Sequence, residues 1–132
     1  MAITRKSIIR RLLNVAVDHY VEVRQRKCQV EGDGYLYIFR RRCQSIGYIS
    51  LCMANDWYSV QTLAHELGHV IDYERNYVRF SLSGEVARER RAWSNARRLL
   101  RSAGYDRWVE FDTDRNECLK EYEEQYGTEQ PE

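Results

Sequence analysis

Apolar residues recur in pairs every four positions from Thr4 to about Val23: Ile8, Ile9, Leu12, Leu13, Ala16, Val17, Tyr20 and Val21. Residues four apart stand one above the other on a helix, so this spacing draws a single apolar stripe. Arg5, Lys6, Arg10, Arg11 and Asp18 fall on the opposite side, which predicts a surface helix laid over a core. The period then shortens. Tyr35, Tyr37 and Phe39 alternate with Leu36, Ile38 and Arg40, and Ile46, Tyr48, Ile49, Leu51 and Met53 follow, with Gly32, Gly34 and Gly47 as punctuation. Aromatic and β-branched residues between glycines predict strands over 35–41 and 46–53, antiparallel and joined by the basic turn from Arg41 to Ser45.

Asn55 and Asp56 break the second strand, and Ser59 is placed to cap a helix running to about Tyr73. Val60, Leu63, Ala64, Leu67, Val70 and Ile71 form its apolar side. A polar stretch from Glu74 to Gly84 leads to a helix over 85–102, with Ala92, Ala96, Leu99 and Leu100 inward and Gly104 as its C-cap. A last helix is predicted over 113–126, followed by an acidic end after Gly127. The pattern is that of an α+β domain: a small antiparallel or mixed sheet packed on an N-terminal helix and a central helix, with further helices behind. No repeat or linker divides it, so one domain is expected over 1–132, its core in about 4–104 and a charged helix and tail over 113–132.

Composition agrees with a single core, since 132 residues at 43% hydrophobic and 31% charged supply enough apolar surface without disorder. No apolar run approaches the roughly 20 residues that span a bilayer, and Arg10 and Arg11 interrupt what would be a secretion signal. A cytoplasmic protein without a membrane partner is expected. Cys28, Cys43, Cys52 and Cys118 show no close ligand pair and read as free thiols in a reducing compartment. The net charge of +1 conceals a polarity: residues 1–50 carry ten Lys or Arg against four acids, and residues 111–132 carry two against eight. Such polarity either attracts a nucleic acid to the basic end or docks the acidic tail onto it. No basic-aromatic motif accompanies the charges, which disfavours nucleic acid as the partner.

The chemistry is concentrated in His65-Glu66-Leu67-Gly68-His69, an HExxH sequence within the central amphipathic helix. Four-residue spacing lets His65 and His69 present two imidazoles to one metal ion. Glu66 lies beside that ion without coordinating it, placed to take a proton from water and return it to a leaving amine. The competing structural reading is a pair of hydrogen-bonded histidines and a solvated helix charge. His19, near the apolar stripe of the first helix, reads as structural.

A catalytic zinc takes three protein ligands, and no third histidine follows: Asp72 and Arg75 stand where an extended HExxHxxGxxH motif would place its glycine and histidine. The next helix offers Glu85 and Glu89, one turn apart. Ala92 and Ala96 continue the face of Glu89, allowing close packing on the central helix, which favours Glu89 as the ligand. Glu85 remains as an alternative ligand, a supporting acceptor or a first-turn acid, and Asp72 as a group that orients His69.

The pair of elements His65-Glu-Leu-Gly-His69 and Glu89-Arg-Arg-Ala92-Trp93-Ser-Asn-Ala96-Arg-Arg-Leu99-Leu100 resembles the small gluzincins of the ImmA/IrrE family, over roughly residues 46–100. The resemblance implies a zincin-like (minigluzincin) fold, a Zn2+ cofactor and hydrolysis of peptide bonds in a protein or peptide substrate. It also implies that Gly47, Tyr48, Ile49, Ser50 and Leu51, on the strand before the metal helix, form the sheet edge along which substrate lies as an added strand. Tyr73 or Tyr77 would supply a phenol to stabilise an oxyanion. Trp93 stands where the family often has Asn, and the Leu-Met-Pro that often follows is missing. A likeness to small SprT-like zincins, recruited to substrate by DNA, is weakened because that class prefers a third histidine and none lies downstream of His69. The expectation is a regulatory cytoplasmic metallopeptidase of restricted specificity. The alternative is a non-catalytic zinc-containing module that binds protein or nucleic acid through its basic N-terminal half.

Overall fold

The computed structural model describes residues 3–25, 34–41, 44–51 and 57–127. Among these, α1 spans Arg5–Asp18, β1 Val21–Gln25, β2 Gly34–Arg41, β3 Gln44–Leu51, α2 Trp57–Arg75, α3 Tyr77–Leu82, α4 Glu85–Ala103 and α5 Trp108–Tyr126. The class is α+β, with a three-stranded mixed sheet and five helices.

Thr4 opens α1 through a capping box, its hydroxyl accepting from Ser7 N and its N–H donating to the Ser7 hydroxyl, each at 3.1 Å. The helix stops at Asp18, short of the expected Val23. Tyr20 takes a left-handed conformation (φ 58°) that turns the chain out of the helix, and Val21–Gln25 becomes a strand. His19, at the C-cap, meets Glu74 of α2 through Nδ1 at 2.5 Å, consistent with a structural role.

The strand gained there changes the sheet. The order is β1-β3-β2, with β1 parallel and β2 antiparallel to β3. Gly47 to Leu51 pairs with Val21 to Gln25 on one side and with Gly34 to Ile38 on the other. The substrate-edge role expected for Gly47, Tyr48, Ile49, Ser50 and Leu51 is therefore corrected: their strand is central, and its backbone groups are already engaged in the ladder. Gly47 is required by the packing of the hairpin, because a Cβ there would lie 2.2 Å from the Tyr37 carbonyl oxygen.

Helix α2 begins at Trp57, so Ser59 is buried inside its first turn and does not cap it. The polar stretch from Glu74 to Gly84 contains a short helix, α3, whose Tyr77 and Phe80 pack edge-on against Tyr73. Gly104, left-handed at φ 89°, closes α4 as expected, its N–H directed at the Leu100 and Arg101 carbonyls. Helix α5 starts at Trp108, ahead of Thr113, because Trp108 and Phe111 join Tyr105 in an aromatic cluster.

The core lies between sheet and helices: Ile8, Leu12 and Ala16 of α1, Ile49 and Leu51 of β3, Leu63, Leu67 and Val70 of α2, and Ala96 and Leu100 of α4 are all buried. Among the described residues no helix is long and apolar enough to cross a membrane. Cys28, Cys43, Cys52 and Met53 lie outside the described residues. Cys118 is a half-buried free thiol.

Candidate metal centre

Small residues fix how closely α2 and α4 approach. A Cβ on Gly68 would lie 2.2 Å from the Ala92 carbonyl oxygen, so the helices touch backbone to backbone. Asn95 reaches across to donate to the Gly68 carbonyl at 3.0 Å. One turn further along, Arg91 Nε donates to the buried Asp72 carboxylate at 2.6 Å, and Asn76 donates to the same oxygen at 3.3 Å. These contacts set the register that brings Glu89 opposite the two histidines.

Glu89 Oε2 lies 2.7 Å from His65 Nε2 and Oε1 lies 2.8 Å from His69 Nε2. One ligand atom from each of His65, His69 and Glu89 falls within 4.8 Å of the others, and the group could hold a metal ion. The Glu89 carboxylate is 4% exposed. Burial would raise its pKa, but the hydrogen bonds and charges of His65 and His69 outweigh that and hold it well below the ordinary carboxylate range. Burial likewise works to lower the His69 pKa, and the hydrogen bond and charge of Glu89, with Glu66 and Asp72 behind it, raise it on balance. Both carboxylate oxygens are thus directed at ring nitrogens, and two imidazoles with one carboxylate are a donor set suited to a divalent transition metal.

Glu66, next to His65 on α2, is buried at 8% exposure. Trp93 stacks on the His65 ring at 4.4 Å between centroids and 12° between planes, so it restricts the imidazole by contact. The same indole meets Phe111 of α5 edge-on. Asp72 does not join the cluster; its carboxylate ties α2 to α4 through Arg91 and acts on His69 by charge. Glu85 also stands apart, half exposed in the first turn of α4, with Arg88 at 3.3 Å. Tyr73 and Tyr77, on α2 and α3, pack edge-on against one another.

Two residues of α5 lie toward Glu89 without having been expected there: Cys118, read from the sequence only as a free thiol, and Tyr122. Cys118 Sγ lies 3.8 Å from Glu89 Oε2, and burial, followed by the charge of Glu89, pushes its thiol up to about 11. Tyr122 follows one helical turn later, and burial and then the Glu89 charge raise its phenol above the ordinary value. Their four-residue spacing was a usable signal for one face directed inward, but the surrounding acids marked the segment as solvated. No family model, curated protein or solved structure matches the chain.

Proposed function

We propose that the chain is a zinc metallopeptidase with a zincin-like fold, acting in the cytoplasm on a protein or peptide substrate. The observation that carries this reading is the convergence of His65, His69 and Glu89 from two helices onto one point, with Glu66 buried beside them. The resemblance of the two helices to the ImmA/IrrE gluzincins supports it independently of the geometry.

His65 and His69 of α2 and Glu89 of α4 would hold the ion. Zinc bound there supplies Lewis acidity for polarising a peptide carbonyl and acidifying water. Glu66 takes the proton from the attacking water and delivers it to the departing amine, a task suited to a carboxylate that does not spend its oxygens on the metal. Trp93 holds His65 in place from behind, and the Asp72–Arg91 pair holds the two helices in register. Cleavage of a diverse peptide library by the zinc-loaded protein, compared with Glu66→Gln, tests the reading. The variant should bind zinc normally and lose on the order of 100-fold or more in rate. Equal cleavage by both proteins would contradict it, as would no cleavage by a fully loaded wild type across the library.

A further inference from the structure

A groove of about 540 Å³ runs between α4 and α5, outside the metal cluster. Arg90, Arg97, Arg98 and Arg101 line it from α4, and Arg115 and Asn116 face them from α5. The volume is typical of small-molecule sites, which run to roughly 300–1,000 Å³. Five arginines share its lining with Trp93 and Leu119, so charged groups stand among apolar ones.

The charges are only partly answered within the protein. Asp112 pairs with Arg97 and lies 3.6 Å from Arg115, and Glu123 pairs with Arg90 at 2.7 Å. Two acids are thus shared among Arg90, Arg97 and Arg115, and Arg115 also donates to the Asn116 side-chain oxygen. Arg98 and Arg101 are exposed and have no acidic partner among the described residues. Like charges three and four residues apart oppose helix formation, so local helix stability does not account for this grouping. Aromatic faces also hold some of the groups: the Arg97 guanidinium lies 4.9 Å from the Phe111 ring centre and 5.2 Å from that of Trp108, and Arg101 lies 6.0 Å from Trp108. Guanidiniums held in this way lose less freedom when a ligand arrives.

We infer that the groove binds a compact, multiply charged phosphate anion, of the kind presented by an inorganic oligophosphate or the triphosphate of a nucleotide. The five arginines outnumber their two acidic partners by three, which favours an anion of several charges. Arginine forks on two opposed walls suit tetrahedral phosphates, whose oxygens accept hydrogen bonds from several directions. A volume of about 540 Å³ suits a discrete anion better than a long polymer. Trp93 contributes to its lining and also stacks on His65, so the groove and the metal centre share that indole.

Equilibrium dialysis of the intact zinc-loaded protein against inorganic tripolyphosphate at low ionic strength tests the assignment. Saturable binding near one equivalent is expected. It should weaken at least about tenfold when Arg98→Gln and Arg101→Gln are combined, and also in Arg115→Gln on the other wall. Lys6→Gln with Arg10→Gln on α1 should leave it unchanged, and citrate should bind at least about tenfold more weakly than tripolyphosphate. Arg98 and Arg101 are exposed, so their replacement leaves the core intact. Uptake unaffected by the groove variants would overturn the inference, and it would reveal any contribution from zinc chelation. Citrate binding as tightly would overturn the phosphate assignment. Failure of tripolyphosphate to bind while a single-stranded oligonucleotide binds through the same arginines would make the surface a nucleic-acid site instead.

Discussion

Glu89 is a carboxylate removed almost completely from water, and its ionised form is retained because each oxygen meets an imidazole nitrogen. The arrangement has opposite consequences with and without metal. In the metal-free protein the raised His69 pKa contributes stability that is complete below the ordinary histidine value and fades as pH rises through the raised one. Lowering of the Glu89 pKa contributes stability that is complete above the ordinary carboxylate value and is lost progressively as pH falls from there through its depressed pKa. Zinc needs an unprotonated imidazole, so the stabilisation it confers should grow as pH rises from the ordinary histidine value through the raised one of His69, while the metal-free protein weakens over the same interval. Thermal melts with zinc and with chelator across that range measure both trends. A zinc-dependent shift in melting temperature that is flat or declining over that interval would contradict this picture.

The contact of α2 with α4 turns sequence spacing into a site. Gly68→Ala would drive a methyl group into the Ala92 carbonyl, and overpacking of this kind costs about 1–3 kcal/mol. Chemical denaturation should register that loss; unchanged stability would mean that the helices can part without cost. The helical half of the site was legible because both of its signals are local. HExxH sits in a 3.6-residue stripe, and Ala92 and Ala96 mark the face that carries Glu89. The sheet was less legible. Tyr20 and Val21 continue the apolar stripe of α1, and the left-handed turn at Tyr20 that ends it carries no glycine signal. With β1 hidden, the central place of β3 was hidden too, since Val21 pairs with Gly47 across a long stretch of sequence. Pattern within a segment can suggest a strand; its neighbours depend on the whole chain.

Across the described residues, the acidic segment finds basic partners on a neighbouring helix. Acids of α5 pair with α4, Glu123 with Arg90 and Asp112 with Arg97, while Arg11 of α1 donates to the Ser102 carbonyl. Helix α5 thereby packs over the rear of the metal centre and places Cys118 and Tyr122 toward Glu89. Phe111 anchors it, fully buried against Trp93, Tyr105 and Trp108. Phe111→Ala should cost about 3–5 kcal/mol by leaving a cavity, and it should weaken zinc retention by loosening the indole that backs His65. Denaturant melts and zinc competition with a chromophoric chelator read the two effects; a destabilised protein with unaltered zinc affinity would separate α5 from the site.

The most direct measurement is the metal content of the purified protein after zinc supplementation and desalting, beside that of Glu89→Gln and of His65→Ala combined with His69→Ala. About one zinc per chain is expected in the wild type, lost from the double histidine variant and strongly reduced in Glu89→Gln, with circular dichroism confirming that each remains folded. A folded wild type that retains no zinc, or a Glu89→Gln variant that holds it as tightly, would contradict a centre built from these three residues.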